Sequence, residues 1–262
     1  MARIFVIANQ KGGVGKTTTT VNLAAALARH GQRTLLVDLD PQGNATMGSG
    51  IDKRALTRSV YHVLIGLCDV EEATRTSPTG GYDVLPANRD LAGAEVELVE
   101  FEERETRLKD ALAQVESRYD IVLIDCPPSL SLLTLNGFCA AHGVIIPMQC
   151  EYYALEGLTA LLDTIEQIRT TLNFDLRIEG LLRTMYDPRN NLANDVSTQL
   201  LAHFPEQVFN TIIPRNVRLA EAPSHGLPAI MYDKNSQGAR AYLALAGEML
   251  RREMKEEAQA TV

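Results

Sequence analysis

At 262 residues, 45% hydrophobic and 22% charged, the chain has the size of one large α/β core, and no Pro-, Gly- or Ser-rich stretch divides it. A formal net charge of −8 argues against indiscriminate nucleic-acid binding, so any DNA contact must come from a local patch. No apolar run approaches the roughly 18 residues of a membrane span, and residues 1–10 lack the basic start and long apolar core of a signal peptide, which predicts a cytoplasmic protein without membrane insertion. One domain, 1–262, is expected, with a disordered tail from about residue 254. Cys68, Cys126, Cys139 and Cys150 are far apart and lack metal-ligand spacing, so they read as buried free thiols.

The apolar run Ile4 to Ala8 reads as the first strand, and the pattern Val21 to Arg29 as a helix. Between them lies Asn9-Gln10-Lys11-Gly12-Gly13-Val14-Gly15-Lys16-Thr17-Thr18. A strand, a glycine-rich turn and then Gly-Lys-Thr opening a helix is the context of a phosphate loop. Gly12, Gly13 and Gly15 let the backbone close around oxygens, and the amides from Gly13 through Val14 to Thr18 add to the positive end of the helix dipole. Lys16 is expected to bridge the β- and γ-phosphates of a nucleotide, and the Thr17 hydroxyl to bind Mg²⁺. One departure from the common loop stands out: Gln10 replaces the glycine expected five residues before Gly15, and a second lysine, Lys11, opens the turn. Lys-Gly-Gly-Val-Gly-Lys-Thr-Thr resembles the deviant Walker A loop of the ParA/MinD ATPases. The resemblance implies that Lys11 reaches across a dimer interface to the partner's nucleotide, like an arginine finger.

Arg33 to Asp40 reads as a buried parallel strand with carboxylates at its C-terminal end, where open α/β sheets bind ligands. Asp40 is expected to orient the attacking water or hold the metal's water shell; Asp38 is a supporting acid or a structural one. Pro41 to Asn44 reads as a switch loop. Tyr61 to Gly66 looks like a short helix, 76–81 a loop, and Tyr82 to Pro86 a strand. The segment 90–118 has an amphipathic helical pattern, continuous or interrupted, with a glutamate-rich stretch from Glu95 to Glu105 that is a solvated face or a docking surface. Tyr119 to Asp125 is an apolar strand ending in an acid, the Walker B pattern, so Asp125 is expected to meet Mg²⁺ through water. Pro127 and Pro128 then stiffen a second switch.

Gly143 to Met148 reads as a strand leading through Glu151, Tyr152 and Tyr153, ligand-edge or capping residues, into a helix over 158–172. Arg177 to Thr184 is another strand, and Val208 to Ile213 a later one. After these strand ends, Met185, Pro214 and Asn216 are assigned to nucleotide binding, with Asn216 chosen to hold adenine.

Asn9 to Thr18, Leu36 to Thr46, Leu91 to Glu95, Ile124 to Leu130, Gln149 to Leu158 and Ile213 to Gly226 resemble the ParA/Soj chromosome-partitioning ATPases over nearly the whole chain. That resemblance implies a mostly parallel sheet flanked by helices, binding of ATP and Mg²⁺, and an ATP-dependent homodimer on double-stranded DNA of any sequence. It also implies slow hydrolysis, stimulated by a ParB/Spo0J-like partner, that segregates replicated chromosome or plasmid DNA on the nucleoid. Arg189 and Arg218 match DNA-contacting arginines of the family, and Lys234 and Arg240 are added as further candidates; on residue type alone they are equally ordinary surface cations. A MinD-like membrane anchor is disfavoured by the acidic tail Glu248 to Ala258. A shared iron–sulfur cluster lacks its second cysteine. An added N-terminal DNA-reading domain is not expected, since strand one is read to begin at Arg3.

Overall fold

Period-two alternation divides the apolar strand residues between two cores, one on each face of a single sheet. In β1 (Arg3–Ile7), Phe5 and Ile7 enter one core while Ile4 and Val6 enter the other. The computed structural model describes residues 2–260 and sets this strand inside a seven-stranded sheet. β1 passes through the glycine-rich turn into α1 (Lys16–Arg29), and β2 (Thr34–Asp38) is followed by the short helices α2 (Asn44–Gly48), α3 (Val60–Leu64) and α4 (Val70–Ala73). Next come β3 (Arg75–Thr76), β4 (Asp83–Leu85), α5 (Leu91–Glu97) and α6 (Arg107–Ala113). Strand and helix then alternate through β5 (Ile121–Asp125), α7 (Leu132–Ala140), β6 (Gly143–Gln149), α8 (Ala154–Thr171) and β7 (Arg177–Thr184). The chain closes with α9 (Asn191–His203), α10 (Val217–Glu221), α11 (Ala229–Tyr232) and α12 (Gln237–Ala260).

Across the sheet the order is β3, β4, β2, β5, β1, β6, β7, parallel except for the antiparallel pair β3–β4. α1 and α12 cover one face through Leu23, Leu27, Tyr242 and Leu245; α5 to α9 cover the other through Leu91, Leu108, Leu133, Leu158 and Val196. Burial on both faces is why the central strands are unbroken apolar runs. Register fixes the site: Ile7 lies opposite Asp125, and Asp125 opposite Asp38, so the phosphate loop and both acids meet at one edge of the sheet.

Several local expectations change. Val208 to Ile213 is not a continuous strand; it follows β7 through an isolated bridge at Leu181–Val208 and backbone bonds from Phe209 N to Leu181 O (3.0 Å) and Ile213 N to Arg183 O (2.9 Å), with a second bridge, Tyr186–Pro214, beyond it. Between those bonds side chains take backbone groups a ladder would use: Glu248 accepts from Asn210 N and Thr211 N at 2.8 Å, and Arg183 donates to Phe209 O at 2.8 Å. The start of the 76–81 loop pairs with β4 as the two-residue β3. The 90–118 helical pattern is interrupted, one of the two forms its sequence allows, between α5 and α6, where Asn136 donates to Arg104 O (2.7 Å) and accepts from Leu108 N (3.1 Å). Cys126, Cys139 and Cys150 are buried free thiols, whereas Cys68 is only half-buried. α12 continues to Ala260, past the point where the sequence suggests an unstructured tail; residues 261–262 lie outside the described residues. No helix among the described residues is long and apolar enough to cross a membrane.

Candidate functional site

The loop between β1 and α1 turns through two left-handed glycines, Gly13 (φ 74°) and Gly15 (φ 90°). Gly15 is the N-cap of α1 and brings no capping side chain, so the first helical amides stay free to face an anion. Lys16, 8% exposed, turns back over the loop and donates from Nζ to Lys11 O at 3.2 Å. Burial lowers its pKa, and Asp125 beside it pulls the other way.

Helix α1 also presents two hydroxyls to the end of β5. Thr17 Oγ1 donates to Asp125 Oδ2 at 2.7 Å, and Thr20 Oγ1 donates to Asp125 Oδ1 at 3.0 Å. Asp125 is fully buried, and burial together with the nearby Asp38 pushes its pKa up. Asp38 is buried as well; it accepts from Asp40 N (3.1 Å), Thr46 N (2.8 Å) and Thr46 Oγ1 (2.8 Å), so it braces the loop between β2 and α2. Asp40, at the mouth of that loop, accepts from Gln42 N at 2.8 Å. Two buried carboxylates that repel each other are a site built for a cation. Among the described residues no group of three or more His, Cys, Asp or Glu is arranged to hold a metal alone. A hydroxyl beside a carboxylate, with further positions left for phosphate and water, is the donor set of Mg²⁺ in nucleotide sites.

Next to the loop opens a cavity of about 280 Å³, lined by Gly15, Thr18, Met185, Pro214, Asn216 and Tyr242 among others. Thr184 Oγ1 donates to Val14 O at 2.8 Å, tying β7 to the phosphate loop. Met185 takes a left-handed backbone (φ 49°), and its sulfur accepts from Gln149 Nε2 at 2.9 Å. Asn216, which lines this cavity, N-caps α10, its Oδ1 accepting from Arg218 N at 3.1 Å.

The remaining candidates lie at the rim. Lys11 is half exposed, and its Nζ is 2.5 Å from Glu151 Oε2. Tyr152 and Tyr153 are exposed beside it, packed edge-on against each other. Arg189 pairs with Asp187, and Arg218 with Glu221 and Asp233. Lys234 is exposed and follows Asp233; Arg240 is exposed on the first turn of α12. The sequence reading missed Thr20, Thr46 and Tyr242. Thr20 had a signal in its three-residue spacing from Thr17 on one helix face; Tyr242, 117 positions beyond Asp125 in a plain amphipathic helix, had none.

A doubly covered parallel sheet, a phosphate loop at the carboxyl end of its inner strand, a Walker B acid bonded to the loop threonine and an adjoining base-sized cavity together define a P-loop nucleotide-binding protein. A family model described as an AAA domain matches residues 2–178. The chain is 54% identical over 249 residues to the sporulation initiation inhibitor protein Soj of Bacillus subtilis, covering 95% of this chain and 98% of Soj. It is 52% identical over 253 residues to the chromosome partitioning protein ParA of Myxococcus xanthus, covering 97% and 89%. Among solved structures, a cobyrinic acid a,c-diamide synthase from Mycobacterium smegmatis with bound ADP and magnesium is 43% identical, with a TM-score of 0.85 over 97% of this chain and 96% of that one. The chain belongs to the ParA/Soj family of chromosome-partitioning ATPases.

Proposed function

We propose that residues 1–262 act as one ATP-driven switch that closes into a face-to-face dimer, grips DNA of any sequence, and lets go when a partner stimulates hydrolysis. The observation that carries this reading is the contrast between the two lysines of the loop. Lys16 is buried over the turn that would hold phosphates, whereas Lys11 stands half exposed at the rim, where a second subunit can meet it.

In this reading the amides from Gly12 to Thr18 and Lys16 hold the nucleotide phosphates, and Thr17 binds Mg²⁺ with Asp125 and Asp40 acting through water. Magnesium, when bound, neutralises charge on the phosphate oxygens. Met185, Pro214 and Asn216 hold the adenine. Asp40 orients the attacking water at the mouth of its loop. Lys11 leaves Glu151 and completes the site of the other subunit, so a monomer is a poor catalyst. Closure aligns Arg189 and Arg218 of both subunits, with Lys234 and Arg240, along phosphates of the duplex. A ParB/Spo0J-like protein docks beside the interface, with the acidic stretch 95–105 as its contact, and the cycle segregates replicated chromosomal or plasmid DNA on the nucleoid. The ligands of the Mycobacterium smegmatis structure, ADP and magnesium, support the nucleotide part of this reading.

The test is molar mass by light scattering with ATP and Mg²⁺, alongside nucleotide binding. Wild type should dimerise with ATP and not with ADP; Lys16→Ala should bind no nucleotide; Lys11→Ala should bind ATP and stay monomeric. A Lys11→Ala protein that dimerises with wild-type affinity would remove Lys11 from the partner's site.

A further inference from the structure

Beyond the carboxyl end of β7 two separate loops are drawn together. Tyr186 N donates to Ile213 O at 3.1 Å, and Arg215 N donates to Tyr186 O at 3.2 Å. This pairing sets Arg189, Arg215 and Arg218 on one edge of the molecule, interleaved with Asp187, Glu221 and Asp233.

The guanidinium of Arg189 is 88% exposed, yet it is held as a two-toothed fork: Nε donates to Asp187 Oδ1 at 2.9 Å, and a terminal nitrogen to Oδ2 at 2.7 Å. Arg218 donates to Glu221 Oε2 at 2.8 Å, and its Nε lies 3.5 Å from Asp233 Oδ2. A carboxylate with two oxygens fits the guanidinium fork as a phosphate diester does. We infer that Asp187, in the fork of Arg189, and Glu221 with Asp233, around Arg218, are internal phosphate mimics, which occupy the arginine donors until a duplex displaces them and so set the threshold for DNA binding. The inference rests on the DNA-binding role proposed above for these arginines.

Two further facts support it. Asp187 is held down to about 2 by its hydrogen bonds from Arg189, and Arg215 lowers it further, so the mimic is charged at any physiological pH. Asp187 Oδ1 also accepts from Arg189 N at 3.0 Å, which fixes the turn that carries the arginine and keeps fork and mimic in register. Energetically the device is gentle, because an exposed ion pair is weak. Releasing one arginine changes affinity by roughly twofold to fivefold, and two subunits compound that factor. A monomer with its arginines occupied binds DNA poorly; a dimer pools enough phosphate contacts to displace the carboxylates.

The experiment is anisotropy of a labelled duplex of arbitrary sequence titrated with full-length protein, without nucleotide, with ADP and with ATP, over a salt series. The variants are Asp187→Asn, Glu221→Gln, Arg189→Ala and Asp187→Asn/Arg189→Ala, with Asp195→Asn as a control that removes an exposed charge from α9. Asp187→Asn and Glu221→Gln keep an oxygen acceptor at each position, and they should tighten the ATP-state complex by roughly twofold to fivefold each. Asp195→Asn should do less, and the Asp187→Asn gain should vanish once Arg189 is gone. A gain that survives in the double variant, or equals that of Asp195→Asn, is bulk charge and overturns the inference. The inference also fails, with the DNA reading left standing, where wild type binds with ATP, Arg189→Ala does not, and neither carboxylate variant changes affinity. Wild type that never binds DNA with ATP overturns the DNA reading itself.

Discussion

Asn216 caps α10 and is proposed above to hold the base, and a pair of substitutions separates the two tasks. Its oxygen accepts from Arg218 N, and the residue lines the cavity beside the phosphate loop. Asn216→Asp keeps the cap acceptor and loses the donor, so nucleotide affinity should fall about tenfold with little change in melting temperature. Asn216→Ala loses both and should also cost about 1 kcal/mol of stability; equal stability of the two variants would show that the cap contributes nothing. Asp187 gives a pH prediction with a definite sign. Its carboxylate is held near 2, below the ordinary 3.8, so the Arg189 pair contributes stability above the ordinary value and loses it as pH falls through 2. In Arg189→Ala the Asp187 titration, followed by carboxyl-carbon NMR, should return towards 3.8; a titration that stays near 2 would mean that another group holds it down. Residues of this kind differ in how far the sequence exposes them. Lys16 and Thr17 are legible because their chemistry is set by neighbours within one turn. Glu151 as the partner of Lys11 is not, since a contact across 140 positions exists only once β1 and β6 pair.

At the scale of elements, the tightest constraint on β7 is Gly180. A Cβ built there would come within 2.4 Å of the Phe209 ring, so Gly180→Ala should overpack this part of the core and cost about 1–3 kcal/mol by denaturant unfolding. A neutral result would mean that the segment around Phe209 moves freely. That segment is where the sequence misleads. Val208 to Ile213 has the composition of a strand, yet between its backbone bonds to β7 at Phe209 and Ile213 the side chains of Glu248 and Arg183 claim Asn210 N, Thr211 N and Phe209 O. β1, β2, β5 and β6 are legible because each is dominated by an apolar run bounded by turns. β3 is not, being two residues whose pairing with β4 supplies no periodic signal.

For the molecule as a whole, nucleotide and metal should act as structural ligands of the sheet edge. ATP with Mg²⁺ at about 100 times Kd contributes about 2.7 kcal/mol, or roughly 5–10 °C in Tm for a chain of this size. Chelating the metal should remove most of that shift in a thermal melt, and Lys16→Ala should abolish it; a shift that survives chelation would show that Thr17 and Asp125 hold no metal with the nucleotide. The dimerisation, DNA binding and release proposed above would likewise be properties of the assembled edge, where Asp38 and Asp125 are buried at the ends of β2 and β5 while Arg189 and Arg218 stand exposed.

The sequence by itself determined the doubly covered parallel sheet, the phosphate loop and the Walker B acid, because each depends on residues close together along the chain and on a period that a strand or helix imposes. Tertiary structure alone decided which groups answer one another across long separations: Glu151 with Lys11, Thr20 with Asp125, and Tyr242 at the cavity beside the phosphate loop. Sheet order and crossovers set those meetings, and no local pattern of residues encodes them.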